Sequence, residues 1–201
     1  MKYLLLLAFF AFSNFLGCKS SPNFVPAKTT SNTKNVEQLS VFQLPTKWKT
    51  QANQEISLAH FKGKVVVLAM IYTTCIFSCP RLVADMKRLE SALPADEKKH
   101  VQLVLVSIDP EHDTPEVLTK FAQERKMPPS QWTLLQGTKD DVQEIAAVLG
   151  FKYKKTTPVD FSHSNLLSVF DAEGVLAYQQ EGIAADQQEM VNKIGTLTEN
   201  L

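Results

Sequence analysis

Residues 64–80 read KVVVLAMIYTTCIFSCP, and this stretch decides the fold. Its first part, 64–72, is almost entirely apolar and contains three adjacent valines, a pattern typical of a strand buried on both faces. Pro80 fits the first turn of a helix, because its ring fixes a helical φ and its missing N–H is not needed there. The stretch therefore predicts a buried strand that runs into a helix, with two cysteines at the junction.

The same alternation continues along the chain. Apolar or alternating patterns predict strands over 41–44, 55–58, 64–72, 101–108, 132–136, 165–171 and 175–179. Apolar residues at helical spacing predict helices over 80–93, 114–126, 139–149 and 186–197. Buried strands that alternate with amphipathic helices indicate some parallel pairing. We therefore predict an α/β, thioredoxin-like fold, with a central mixed sheet flanked by helices and an N-terminal hairpin extension.

The composition excludes several classes of protein. The 201 residues carry 21 Lys and Arg against 21 Asp and Glu, and 44% are hydrophobic. An apolar fraction of this size is typical of a packed globular domain rather than of a disordered chain. The zero formal net charge gives no indication of the basic surface that a nucleic-acid partner requires. After the N-terminal segment no apolar run has the length of a membrane-spanning helix, so we expect the domain itself not to span a membrane.

The N-terminus is interpreted as a targeting segment. Lys2 precedes an apolar stretch, 3–12, of the length of a signal-peptide core. The residues FLGC at 15–18 follow it and resemble the lipobox of bacterial lipoproteins, in which the Cys is lipidated and becomes the new N-terminus. We predict a lipoprotein signal peptide over 1–17, a lipidated Cys18 with a flexible tether over 18–35, and a folded domain over 36–201. An ordinary secretory signal with an incidental cysteine is the alternative.

Cys75 and Cys79 form a closely spaced pair with three residues between them. A disulfide across so small a loop would constrain the unfolded chain little, so the pair indicates chemistry rather than architecture. The N–H groups and positive end of a helix N-terminus favour thiolate, the form that binds metal and attacks disulfides. Thiolate sulfur favours Cu(I), and one added imidazole allows Cu(II), whereas zinc prefers four ligands and Cys18 is the one other cysteine in the chain. A redox couple and a metal site both remain open at this point.

Four histidines can supply a further ligand. His163 precedes the strand predicted over 165–171, on a loop that faces the cysteine loop in a thioredoxin-like fold. His112 follows the second core strand and can lie on the same rim. His60 precedes the first core strand, and His100 precedes the second at its opposite, amino end. Position in the fold thus favours His163, with His112 as the alternative.

Four segments, in this order, carry a family resemblance: YTTCIFSCPRLVADM at 72–86, VLVSIDPEHDTPEVLTKF at 104–121, GTKDDVQEIAAVLGF at 137–151 and DFSHSNLLSVFDAEG at 160–174. Together they resemble the Sco/SenC family over nearly all of the predicted domain. The resemblance implies a fold similar to that of thioredoxin and peroxiredoxin, and a role in assembling the dinuclear copper centre of cytochrome c oxidase. It also implies that copper is held by a Cys-x-x-x-Cys-Pro pair and one distant His, here Cys75, Cys79 and His163.

The cysteine pair and its surroundings suggest three functions. The first is a copper metallochaperone that delivers Cu(I) or Cu(II) to the copper-receiving subunit of a respiratory oxidase or a related cuproenzyme. The second is a thiol-disulfide oxidoreductase that uses Cys75 and Cys79 as its redox pair and keeps the cysteines of the acceptor reduced. A peroxidase is disfavoured, because Thr73 and Arg81 do not match the usual surroundings of a peroxidatic cysteine. We expect the domain to be lipid-anchored in the bacterial cell envelope, in the periplasm or otherwise outside the cytoplasmic membrane.

The chain departs from many relatives between the cysteines, where it has Ile76, Phe77 and Ser78. We expect the two apolar side chains to exclude water from the site. Asp109 and Asp113 end a strand and precede a helix, so they are interpreted as turn and capping residues, with support of the metal ligands as the alternative.

Overall fold

A seven-stranded mixed sheet forms the centre of the part of the chain that the structure, a computed structural model, describes: residues 40–199 and residue 201. The strands are β1 Trp48–Thr50, β2 Glu55–Ile56, β3 Val65–Ile71, β4 Val101–Ser107, β5 Trp132–Gln136, β6 Tyr153–Lys155, β7 Phe161–His163, β8 Leu166–Phe170 and β9 Leu176–Glu181. The helices are α1 Ser78–Ala92, α2 Ala95–Lys98, α3 Pro115–Glu124, α4 Lys139–Leu149 and α5 Gln188–Thr198. Short 3₁₀ helices cover Val41–Gln43 and Leu58–Phe61.

The strands of the large sheet lie in the order β2-β1-β5-β4-β3-β8-β9. β3 pairs in parallel with β4, and β4 pairs in parallel with β5, whereas the remaining neighbours are antiparallel. Every residue of β3 and β4 is buried, because both faces of these central strands are covered. The predicted α/β fold with a mixed central sheet is confirmed.

Three segments of the chain meet at one edge of this sheet. Parallel pairing brings the carboxyl ends of β3 and β4 together, with Ile71 opposite Ser107. β8 is antiparallel to β3, with Ala69 opposite Leu167, so the residues that precede β8 lie at the same edge. This edge therefore combines the connection from β3 to α1, the loop after β4 and the entry to β8.

The N-terminal hairpin is present, but its first strand was predicted at the wrong place. Residues 41–44 are not a strand. Val41–Gln43 form a 3₁₀ helix, and Ser40 caps it by accepting a hydrogen bond from the N–H of Phe42 with its side chain. The first strand is instead β1, which pairs with β2. β1 also pairs with β5, so the hairpin extends the central sheet.

A second hairpin, β6–β7, was not predicted at all. Tyr153 lies opposite His163 in this two-stranded sheet, and Lys155 lies opposite Phe161. Each strand has three residues, which is too short for an alternating pattern to be recognised in the sequence. His163 therefore lies on a strand rather than on the loop that the sequence predicted.

The signal peptide predicted over 1–17, the lipidation site predicted at Cys18, the tether predicted over 18–35 and the domain start predicted at residue 36 lie outside the described residues and stay predictions. Among residues 40–199 and 201, no helix combines the length and the apolar character that crossing a membrane requires.

The central position of β4 can be tested with two leucines of different burial. Leu103 in β4 is fully buried, whereas Leu176 in β9 is 42% exposed. We expect Leu103→Ala to lower the free energy of unfolding by about 3 kcal/mol, because it removes buried methyl groups and leaves a cavity. Leu176→Ala should cost less than about 1 kcal/mol. Chemical denaturation measures both, and equal losses would contradict the placement of β4 in the core.

Candidate metal centre

The two cysteines lie at the junction of β3 and α1, and both are buried. Cys75 is 7% exposed in the connecting loop, and Cys79 is 1% exposed in the first turn of α1. The N–H of Cys79 donates a hydrogen bond to Sγ of Cys75 at 3.4 Å. Both thiols are free, so the pair is in its reduced form.

Helix α1 begins earlier than the sequence predicted. Its first residue is Ser78, two residues before Pro80, and Phe77 at the cap position makes no side-chain capping hydrogen bond. The first N–H groups of a helix have no partner within the helix, and the N–H of Cys79 is one of them. Sγ of Cys75 accepts its hydrogen bond, a role that a capping side-chain oxygen usually has. The sulfur thereby stabilises the early start of the helix, and both cysteines become part of one turn.

The imidazole of His163 is held by aromatic side chains and by one backbone group. Phe151 stacks on the ring with centroids 5.9 Å apart and an interplanar angle of 22°, and Tyr72 meets it edge-on at 5.7 Å. Nδ1 lies 2.7 Å from the carbonyl oxygen of Ser164. Because a carbonyl can only accept, Nδ1 carries a proton, and Nε2 is the nitrogen that faces the cysteines.

The three side chains converge on one point. The donor atoms of Cys75, Cys79 and His163 all lie within 4.8 Å of one another. The 3.9 Å between Sγ of Cys79 and Nε2 of His163 is shorter than two metal–ligand bonds of about 2.0–2.3 Å placed end to end, so one ion can contact both atoms. Two sulfurs and one imidazole are a donor set that suits copper. The structure therefore brings together the three residues that the sequence predicted as a metal site.

The two thiols differ in acidity. Burial raises the pKa of Cys75, but hydrogen bonds from the Ser78 hydroxyl and from the N–H groups of Cys79 and Phe77 outweigh it and lower the pKa to about 6. Burial is the main cause of the raised pKa of Cys79, and the neighbouring Cys75 adds to it. The metal-free pair at neutral pH therefore has one thiolate, at Cys75, and one thiol, at Cys79.

The buried carboxyl group of Asp113 supports the cysteine loop, a role that the sequence offered only as the alternative to turn formation and capping. Asp113 accepts hydrogen bonds from the N–H of Thr73 at 3.1 Å, from the hydroxyl of Thr73 and from the hydroxyl of Ser107. These bonds join the loop that leads to Cys75 to the end of β4. Asp113 was interpreted as a turn or capping residue, and its position just after a strand that borders the site was the available signal.

The apolar side chains between the cysteines do not cover the site as predicted. Ile76 is 76% exposed and Phe77 is 75% exposed, so both lie in solvent. Ser78 is the residue of this segment that lies inward, with Oγ 3.4 Å from Sγ of Cys75 and 3.1 Å from Nε2 of His163. This bridging position was missed, because spacing alone does not show which residue of a turn points inward.

The other histidines do not join this group. His112 lies with Asp109 and Glu111, and its Nδ1 is 2.8 Å from Oδ2 of Asp109. Glu111 is already paired with two lysines. In the described part of the chain, these two groups are the candidate metal clusters of His, Cys, Asp and Glu, and neither includes His60 or His100.

Comparison with known proteins agrees with the geometry. A family model described as SCO1/SenC matches residues 35–199. A Stutzerimonas stutzeri protein named as copper-binding is 29% identical over 130 residues, which cover 63% of this chain and 62% of that protein, so the match spans less than two thirds of the relative's length. A SCO1/SenC family lipoprotein from Bacillus anthracis has a TM-score of 0.71 at 26% identity, over 79% of this chain and 96% of that one. Yeast Sco1 with copper bound has a TM-score of 0.66 at 20% identity, over 81% and 91% of the two chains, and shows the same fold. The predicted family resemblance and thioredoxin-like fold are confirmed.

The difference in acidity predicts which cysteine reacts with an alkylating reagent. Because the thiolate is the nucleophile, alkylation of Cys75 in the reduced, metal-free protein should rise with pH around a midpoint of about 6. Cys79 should remain slow through the same range, since its proton is retained. Timed alkylation between about pH 4 and 9, followed by peptide mass spectrometry, measures the midpoint of Cys75 and the slow reaction of Cys79.

Two variants control this measurement. Ser78→Ala removes a hydrogen bond to Sγ of Cys75 and should raise the midpoint, whereas Ser162→Ala, at an exposed position next to His163, should leave it unchanged. A midpoint for Cys75 near the ordinary value of about 8.5 would contradict its hydrogen bonding in the structure.

Proposed function

Because this chain belongs to the SCO1/SenC family, we propose that it is a copper metallochaperone that binds copper through Cys75, Cys79 and His163. It delivers the metal to the copper-receiving subunit of a respiratory oxidase or a related cuproenzyme. The observation that carries this proposal is the convergence of two sulfurs and an imidazole nitrogen within 4.8 Å. Copper bound there supplies a soft cation that exchanges sulfur and nitrogen ligands.

Each residue of the proposed site has a separate task. Cys75 offers a thiolate before the metal arrives, and Cys79 gives up its proton on binding. The hydrogen bond from Nδ1 of His163 to Ser164 keeps Nε2 directed toward the sulfurs. Three protein donors leave one side of the site open, where a donor atom of the acceptor can enter.

Exposed apolar side chains next to the site support transfer to another protein. Ile76 and Phe77 lie between the two cysteines and are three-quarters exposed. Val159 is 51% exposed, and its carbonyl oxygen accepts a hydrogen bond from the hydroxyl of Thr74 at 3.3 Å, which places it beside the same loop. An acceptor that buries these side chains would exclude water from the transferring metal.

A lipid anchor at Cys18 is also part of the proposal. The apolar segment 3–12 and the FLGC at 15–18 support lipidation, and the polar segment 19–35 supports a tether between the lipid and the domain. The Bacillus anthracis relative is itself described as a lipoprotein. This arrangement would hold the domain in the cell envelope, at the surface of the membrane that contains the acceptor.

Copper binding can be tested with two histidine variants. His163→Ala should weaken Cu(I) binding by at least about 100-fold. Loss of a residue that only hydrogen-bonds to a metal ligand already lowers metal affinity by about 10–100-fold, and His163 is proposed as a ligand itself. It should also change the sulfur-to-copper absorption of the Cu(II) form. His112→Ala is the matched control and should change neither, because His112 lies in the Asp109 cluster. Competition with a chromophoric chelator measures affinity, and unchanged binding in His163→Ala would refute the ligand set.

A second candidate function, thiol-disulfide exchange, is favoured by one observation. The pKa of Cys75 is lowered to about 6, and Cys79 lies beside it as a resolving thiol, as in dithiol oxidoreductases. This function needs both cysteines but not His163. The test is the reduction of a disulfide in a metal-free acceptor protein, measured without copper. Equal rates in the parent and in His163→Ala would establish this function. Loss of the activity in His163→Ala would show that the reaction requires the metal site and would exclude an independent thiol-disulfide function.

A further inference from the structure

Ser78 lies between two of the proposed copper ligands. Its Oγ is 3.1 Å from Nε2 of His163 and 3.4 Å from Sγ of Cys75. Ser78 is the first residue of α1, and the cap position belongs to Phe77, so the Ser78 hydroxyl is not the helix cap. A hydroxyl has one proton, so in the metal-free protein the Ser78 hydroxyl donates it at any one time either to Nε2 of His163 or to Sγ of Cys75, and it lies between the cysteine turn and the imidazole.

The hydrogen bond with His163 involves the nitrogen that a metal requires. Nδ1 is bound to the carbonyl of Ser164, so Nε2 is the ring atom left for coordination. An imidazole nitrogen has a single lone pair, which can accept a hydrogen bond or bind a metal but cannot do both. The loaded site therefore cannot retain this hydrogen bond.

We propose that Ser78 competes with copper for Nε2 of His163, so that its hydroxyl stabilises the empty site and favours release of the metal. This inference rests on the proposed function and concerns how tightly that site holds its cargo. When the site is loaded, the hydrogen bond between Oγ and Nε2 breaks, the hydroxyl keeps its proton, and the Nε2 lone pair binds the metal. On release the hydrogen bond forms again, and His163 is not left without a polar partner in a largely buried site.

The competition predicts that removing the hydroxyl improves binding. We expect Ser78→Ala to lower the dissociation constant for Cu(I) about fivefold, the factor that corresponds to a net hydrogen-bond contribution of about 1 kcal/mol. Transfer of Cu(I) to a chelator should slow by a similar factor, because affinity changes at one site act mainly on dissociation. Ser78→Thr keeps a hydroxyl at this position and should bind copper as the parent does.

The measurement uses the full chain, purified and reduced, in competition with a chromophoric Cu(I) chelator. It is run at about pH 9, above the ordinary pKa of a thiol, so that a change in the ionisation of Cys75 does not mask the comparison. Ser78→Gly is a second variant without a hydroxyl, in case Ser78→Ala disturbs the turn. Ser162→Ala, exposed on the same strand as His163, removes a nearby hydroxyl that faces solvent and should be neutral.

A second readout does not involve copper. The ¹⁵N resonance of Nε2 of His163 in the metal-free protein should move in Ser78→Ala and stay unchanged in Ser162→Ala, because only the first variant loses the hydrogen bond. A resonance that is the same in all variants would show that the hydrogen bond does not exist in solution and would overturn the proposal.

The binding data separate the remaining outcomes. Unchanged or weaker copper binding in Ser78→Ala and Ser78→Gly overturns the proposal, and weaker binding would make Ser78 a residue that helps to hold the ion. Tighter binding in Ser78→Thr to the same degree also overturns it, because the hydroxyl would then not be the cause. A parent protein that binds no copper, or that binds it as tightly after His163→Ala, refutes the proposed function itself rather than the role of Ser78.

Discussion

The antiparallel pairing of β8 with β3 is the constraint on which the candidate metal centre depends. Ala69 lies opposite Leu167 in this pair. His163 is four residues before Leu167 in the sequence, so the segment that carries it enters β8 at the edge of the sheet where β3 leads into the cysteine loop. The sulfur of Cys79 and the ring of His163 are 84 positions apart in the chain. Backbone hydrogen bonds of the central sheet thus offset the loop-closure entropy of bringing distant ligands together, before any metal is bound.

The strands that are buried on both faces could be predicted from the sequence. The position of the two cysteines at the end of the first of these strands could be predicted as well. β3 and β4 are visible in the sequence as nearly continuous apolar runs, because no residue of either strand faces water. Such a run that ends in a closely spaced cysteine pair and a proline marks the carboxyl end of a strand and the start of a helix. The choice of His163 over His112 depended on its place in the fold, and the family resemblance reinforced it.

The strands β1, β6 and β7 and the start of α1 could not be predicted, for reasons that are local. β1 has three residues and β7 has three, so neither offers enough positions for alternation to be recognised. The start of α1 was misplaced because a cysteine sulfur, rather than a Ser, Thr, Asp or Asn oxygen, accepts the N–H group at its first turn. Ser78 lies inward because α1 begins at this residue and not at Pro80. With the helix start misplaced, the sequence did not indicate that Ser78 lies between the cysteines and the imidazole.

The proposed ligands are positioned by two different kinds of structure. Cys75 and Cys79 are fixed by β3 and α1, whose backbone hydrogen bonds are directional and cooperative. His163 belongs to β6–β7, whose strands pair with each other and not with the central sheet in the described residues. Its ring packs against Phe151 and Tyr72, and the hydrogen bond from Nδ1 to the carbonyl of Ser164 orients it. The proposed copper transfer requires the coordination of the metal to change while the fold is kept. Because His163 belongs to the separate β6–β7 sheet, the imidazole can change its partner while the sulfurs at the junction of β3 and α1 stay in place.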